Sequence, residues 1–222
     1  MTWEAIRSDP ALQAIIALSF VLLLALVWGG IHNRRRAQRL LQALAPLQPR
    51  LGQHMQITWK GSGGFSAAVE EPTTPFRELT LATRLLPRET LPVLWVFWRL
   101  MGRRDVLQVK GTLRAAPRAQ VRLGHRRAAS ETGWQAMEMP SSPPAELRGG
   151  EAAKVSAALR PLTKPAAARI VRLSLVPTAP HLHAEVTLAG LDQASLGALF
   201  VSLTELCRAA QARPSAPAPS GG

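Results

Sequence analysis

Between Asp9 and Arg34 the chain carries no Asp, Glu, Lys or Arg, and from Ala11 to Ile31 it is almost wholly apolar. A helix rises 1.5 Å per residue, so ~20 such residues cross the ~30 Å hydrocarbon core of a bilayer. Trp3 and Trp28 flank the run, where amphipathic rings prefer the headgroup region. Asp9-Pro10 supplies a helix start, because a first-turn proline gives up an N–H that has no partner there anyway. A cleaved signal peptide would have a shorter apolar core of ~7–15 residues, a basic leader and a small-residue cleavage site. Here Glu4, Arg7 and Asp9 precede the run, and Arg34, Arg35, Arg36 and Arg39 follow it. The segment therefore reads as a transmembrane helix over residues 11–32, with residues 1–10 as a short extracytoplasmic stretch. The arginine flank keeps its own end in the cytoplasm, which sets the N-terminus outside the cell membrane. Membrane lipid is then the first expected partner.

The rest of the chain is long enough for one domain. A hydrophobic content of 47% suits a folded core, and a formal net charge of +13 favours anionic partners such as phospholipid headgroups, RNA or an acidic protein surface. The single cysteine, Cys207, excludes an intrachain disulfide. The expected fold class is α+β: one N-terminal transmembrane helix, then a small cytoplasmic domain of antiparallel strands with two or three helices. Residues 33–50 read as a basic juxtamembrane helix with Leu40, Leu41, Leu44 and Leu47 at helical spacing, broken near Pro46 and Pro49. Residues 51–212 form the basic domain, and the Pro/Ser/Ala/Gly stretch 213–222 is expected to be disordered.

Within that domain, strands are expected over Met55 to Lys60 and Glu78 to Leu86. Thr90 and Pro92 open a helix carrying Leu91, Leu94, Trp95, Trp98 and Met101 that stops near Gly102. Core packing and an apolar interface through Trp95 and Trp98 both account for it. Asp105 to Arg114 and Arg118 to Arg126 suggest a hairpin with Lys110, Arg114, Arg122, Arg126 and Arg127 on its outer side, as a candidate basic binding face or a solvated one. Gly133 to Met139 adds a strand, and Glu151 to Leu159 a helix. Ile170 to Val176 and Leu182 to Ala189 form a second hairpin. Asp192 caps a last helix reaching about Ala210, with Leu196, Leu199, Phe200, Leu203 and Leu206 inward.

The residues that carry chemistry do not assemble into a known pattern. His181 and His183 lack a third ligand nearby, while zinc takes three or four. Cys207 has no His/Asp pattern of a nucleophile, Glu70-Glu71 reads as solvated charge, and Gly61-Ser62-Gly63-Gly64 is a turn without the Lys-Ser/Thr of a phosphate loop. No catalytic residue, metal, cofactor or small-molecule substrate is expected, and the chain is not read as an enzyme.

The order of parts carries a resemblance. An anchor, a basic juxtamembrane helix, a strand running into Leu85-Leu86-Pro87-Arg88-Glu89-Thr90-Leu91, a helix ending in Arg99-Leu100-Met101, and then Asp105-Val106-Leu107-Gln108-Val109 follow one another. This resembles the membrane-proximal half of calumin, a coiled-coil-containing endoplasmic reticulum protein, over roughly Ala11 to Leu113. The resemblance implies a minimal prokaryotic relative and a membrane-protein biogenesis role near the ribosome and Sec translocon, with a small membrane protein partner like Asterix. The family's acidic lumenal region and its Lys/Glu-rich coiled coil have no counterpart here, so neither calcium binding nor coiled-coil ribosome contact is carried over. The anchor makes a prediction of its own. Arginine at a bilayer centre costs about 2.5–3.5 kcal/mol on insertion scales. Leu23→Arg with Leu24→Arg should therefore shift the chain from the alkaline-carbonate pellet to the supernatant, and the unaltered chain should stay in the pellet at full length.

Overall fold

The computed structural model describes residues 10–61, 64–88, 97–124, 134–137, 145–149, 152–163 and 170–212. Helix α1 (Pro10–Leu44) runs unbroken through the apolar stretch and the arginine flank. Among the described residues one helix is long and apolar enough to cross a membrane, and it lies near the N-terminus. The side chains from Ile15 to Ile31 are largely exposed, while Gly29, Asn33, Ala37, Leu40 and Leu44 form a buried stripe at helical spacing. The segment after the apolar run is therefore a continuation of the same helix, and it joins the domain core. A 3₁₀ turn (Ala45–Leu47) and the short helix α2 (Gln48–Leu51) end it, each with a proline in its first turn.

Nine antiparallel strands follow as one sheet: β1 (His54–Trp59), β2 (Phe65–Glu70), β3 (Phe76–Arg84), β4 (Val106–Leu113), β5 (Gln120–Leu123), β6 (Gln135–Met137), β7 (Ala145–Arg148), β8 (Ile170–Leu175) and β9 (Leu182–Thr187), in the spatial order β1-β2-β3-β4-β9-β8-β5-β7-β6. The helices α3 (Ala152–Thr163) and α4 (Gln193–Gln211) complete the α+β fold. Side chains alternate between faces along a strand, so register alone assigns each residue to a side. Ala67, Leu81, Val109, Ala184, Leu173, Leu123 and Ala145 stand side by side across seven strands, each at most 1% exposed. This inner face shares one core with the α1 stripe, with Val155, Leu159 and Leu162 of α3, and with Leu196, Leu203 and Leu206 of α4. The next row out of phase reads Ala68, Thr80, Lys110, His183, Ser174, Arg122 and Glu146. It is the polar face of the sheet, where these side chains are exposed or half-buried.

Several expectations match these elements. Asp192 caps α4 by accepting the Ser195 N–H at 2.8 Å, the five inward residues of that helix are buried, and β8 pairs with β9. The hairpin expected from Asp105 to Arg126 does not form. β4 pairs with β3 and β9, and β5 with β7 and β8, so the later β8–β9 hairpin is inserted between them. The connection reaches across because Arg118 and Ala119 donate their N–H groups to the Ala210 carbonyl at the end of α4. β2 and β7 are not expected from the sequence: in β2 the small run Ser66-Ala67-Ala68 separates Phe65 from Val69, and Ala145-Glu146 in β7 lacks β-branched and aromatic residues. The helix start at Thr90, Trp95, Arg126, Arg127 and the stretch 213–222 lie outside the described residues.

The turn before β2 shows why one glycine there is not interchangeable with another. Gly64 has φ +123°, and a Cβ on it would lie 1.8 Å from Thr83 Oγ1, whose hydroxyl accepts the Phe65 N–H at 2.7 Å. Gly61 (φ +55°) faces open space. Gly61→Ala should cost about 1 kcal/mol for the left-handed backbone alone, and Gly64→Ala about 1–3 kcal/mol more, read as the shift in urea midpoint of the two variants.

Candidate functional site

The end of the sheet next to the anchor is set by Asp105, which is 7% exposed. Its carboxylate accepts the Leu86 N–H at 2.7 Å, and Arg88 Nη2 and Arg36 Nη1 donate to its Oδ2, the former at 2.6 Å. Arg88 Nη1 also donates to Asn33 Oδ1 at 2.6 Å, while Asn33 Nδ2 donates to the Leu86 carbonyl at 3.0 Å. Leu188 N–H donates to the Asp105 carbonyl at 2.9 Å, adding the end of β9. Of the expected membrane-flank residues, Arg36 is thus committed to a part-buried ion pair. Arg34 lies 6.0 Å over the Trp59 ring, and Arg35 and Arg39 are exposed.

On the polar face above this junction lies an open cleft of about 780 Å³ whose lining includes Arg84, Trp98, Arg103, Arg104, Arg172 and Glu185. A helical turn over residues 97–100 forms its outer lip. That turn ends in a Schellman arrangement: Arg103 N–H bonds to the Trp98 carbonyl at 3.0 Å and Gly102 N–H to the Arg99 carbonyl at 3.1 Å, with Gly102 at φ +76°. Arg103 then lies 5.5 Å over the Trp98 ring. Trp98, one half of the expected apolar interface, is half-buried and lines the cleft.

The structure sorts the expected basic face. Lys110 and Arg122 share one cross-strand row, three strand steps or ~14 Å apart. Lys110 is exposed, and Arg122 stacks 4.4 Å over Trp134 beside Glu146. Arg114 lies off this face: its Nε donates to the Phe76 carbonyl at 3.1 Å, pinning the turn at the opposite end of the sheet. Sequence reasoning missed Arg84, Arg103, Arg104 and Arg172, which come from three separate segments and meet only through the fold.

Other chemistry-bearing residues have structural occupations. His181 Nδ1 accepts the Leu113 N–H at 2.9 Å, and Glu71 takes up the Gln53 amide in a left-handed turn at φ +47°. Burial pushes the Cys207 thiol up to about 12, so its nucleophilic thiolate is scarce at neutral pH. Among the described residues no group of three His, Cys, Asp or Glu side chains is placed to hold a metal ion. No family model matches the chain, and no curated protein matches it.

The Asp105 junction predicts an ordered series. Asp105→Ala strands two arginines and the Leu86 N–H, and breaking such a buried pair costs about 3–5 kcal/mol. Arg36→Met removes a partner whose side chain is 36% exposed, and should cost about 1 kcal/mol. Equal losses for the two variants in denaturant titration would contradict the junction as described.

Proposed function

We propose that this protein is a non-enzymatic, single-pass membrane scaffold whose N-terminus lies outside the cell membrane and whose domain holds a protein partner at the cytoplasmic surface. The observation that carries this reading is the stripe from Gly29 to Leu44, which runs from the exposed apolar stretch directly into the domain core. A domain joined this way has a fixed height and a fixed orientation under the bilayer. Its polar sheet face is open at Lys110 and Arg172, and half-buried Arg122 is interleaved there with Glu146 and Glu185. Interleaved signs suit a protein surface of complementary pattern better than the uniform phosphate charge of a nucleic acid.

The resemblance to calumin supplies the class of partner: the ribosome, the Sec translocon and a small membrane protein, in assistance to multipass membrane proteins. It rests on the hydrophobic pattern of Ala11 to Leu113. The competing reading is a membrane-tethered adaptor for an unrelated acidic protein or anionic lipid, and the same open face supports it.

A photo-crosslinker at exposed Lys110 in intact membranes separates them. Ribosomal or Sec components among the products would support the biogenesis role, and a different acidic protein would support the adaptor. A lipid-only pattern would overturn the protein-scaffold reading. Arg122→Glu with Arg172→Glu should lower the protein crosslink about tenfold, equivalent to ~1.4 kcal/mol of lost complementarity.

A further inference from the structure

The helical turn over residues 97–100 leaves its apolar side chains in the open. Phe97 is 52%, Leu100 81% and Met101 65% exposed, the three most exposed large apolar side chains among the described residues of the domain. Arg99, Arg103 and Arg104 surround them and are exposed as well. This is the composition of an interfacial element, with bulky apolar tips and a basic collar.

Its position decides what covers it. Asn33 and Arg36 of α1 lie within about one and a half helical turns, ~8 Å, of Ile31, the last of the exposed large apolar residues of the anchor. Asn33 bonds the Leu86 carbonyl, and Arg36 pairs with Asp105, the residue that directly follows Arg104. The loop lip is therefore tied to the anchor at the level where the anchor leaves the bilayer. On the sheet's other side at the same end, Trp59 is 44% exposed with the Arg34 guanidinium 6.0 Å over its ring. An aromatic ring beside a basic side chain is a frequent arrangement at headgroup depth.

We propose that residues 97–104 form a second membrane contact. Phe97, Leu100 and Met101 enter the headgroup–acyl boundary of the bilayer that α1 spans, and Arg103 and Arg104 engage anionic lipid headgroups. With the anchor and Trp59, this contact holds the domain at a fixed tilt and keeps the membrane end of the sheet against the bilayer. The proposal rests on the reading of α1 as a membrane span, and the test tells the two apart.

The full chain in the Cys207→Ala background is reconstituted in nanodiscs of phosphatidylcholine with phosphatidylglycerol. Single cysteines at Leu23, Leu100 and Lys110 each carry a spin label, and collision with oxygen is compared with collision with a water-soluble nickel chelate. The expected oxygen-to-nickel ratio is several-fold higher at Leu100 than at Lys110 and approaches that at Leu23. Arg103→Glu with Arg104→Glu, or omission of phosphatidylglycerol, should lower the ratio at Leu100 without altering it at Leu23. A label at Leu100 that is open to nickel while Leu23 stays in lipid overturns the second contact and leaves the anchor standing. A label at Leu23 open to nickel overturns the anchor itself. A label at Leu100 shielded from both reagents would mean a protein covers the turn, which also overturns the proposal.

Discussion

A carboxylate taken out of water costs several kcal/mol unless hydrogen bonds and opposite charge replace its hydration. Asp105 meets that requirement only because four separate pieces of the chain arrive together. α1 brings Arg36, the segment after β3 brings Arg88 and the Leu86 N–H, β4 begins at the next residue, and the residue after β9 donates to the Asp105 carbonyl. Asn33 closes the set by bonding both Arg88 and the Leu86 carbonyl. A change in the angle between anchor and sheet would break several of these bonds together. The apolar stripe below supplies the area, and this polar cluster supplies the specificity of register, since Leu and Ala contacts alone tolerate sliding.

How much of this was legible in the residues depends on the range of the interaction that decides each feature. The anchor, α4 with its Asp192 cap, and the β8–β9 pair are decided by periodicity and by neighbours a few residues apart, and the sequence shows them. The place of β4 in the sheet is decided by β9, whose residues lie far along the chain, so a short connection containing Pro117 suggested a hairpin that the long-range pairing overrides. The same holds for the site. Lys110 and Arg122 lie on alternating strands and could be read, though their neighbours could not. Arg84, Arg103 and Arg172 look like unremarkable surface charges until the fold brings them around Trp98. Asp105 was visible only as the acidic residue leading a strand, because nothing local announces that Asn33 and Arg88 will meet it.

The charge of +13 acquires meaning from where the structure puts it. The inner face is apolar across the seven-strand row, so charged side chains lie elsewhere, on the helix flank, the polar sheet face, the loop lip and the outer sides of the other helices and turns. Arg36 and Arg88 are consumed in holding the fold, Arg114 pins a turn, and Arg122 lies on an indole. The described basic residues nearest the anchor then divide by level. In the proposed second contact Arg34, Arg35, Arg103 and Arg104 face anionic headgroups, and Lys110 lies further along the sheet.

That division follows from the geometry of α1. Beyond Gly29-Gly30 the helix continues without proline or glycine to Leu44, and continuous α-helix does not bend sharply without such a break. Gly29 is itself buried at the start of the docking stripe. The apolar helix therefore passes directly into the domain, with no flexible tether between them. A flexible tether would let any basic surface reach any anionic partner, and affinity would follow effective concentration alone. A rigid mount restricts contact to partners that present a complementary surface at one height and one orientation. On the proposed scaffold reading, then, specificity comes as much from the angle at which the anchor delivers the sheet as from the residues on its polar face.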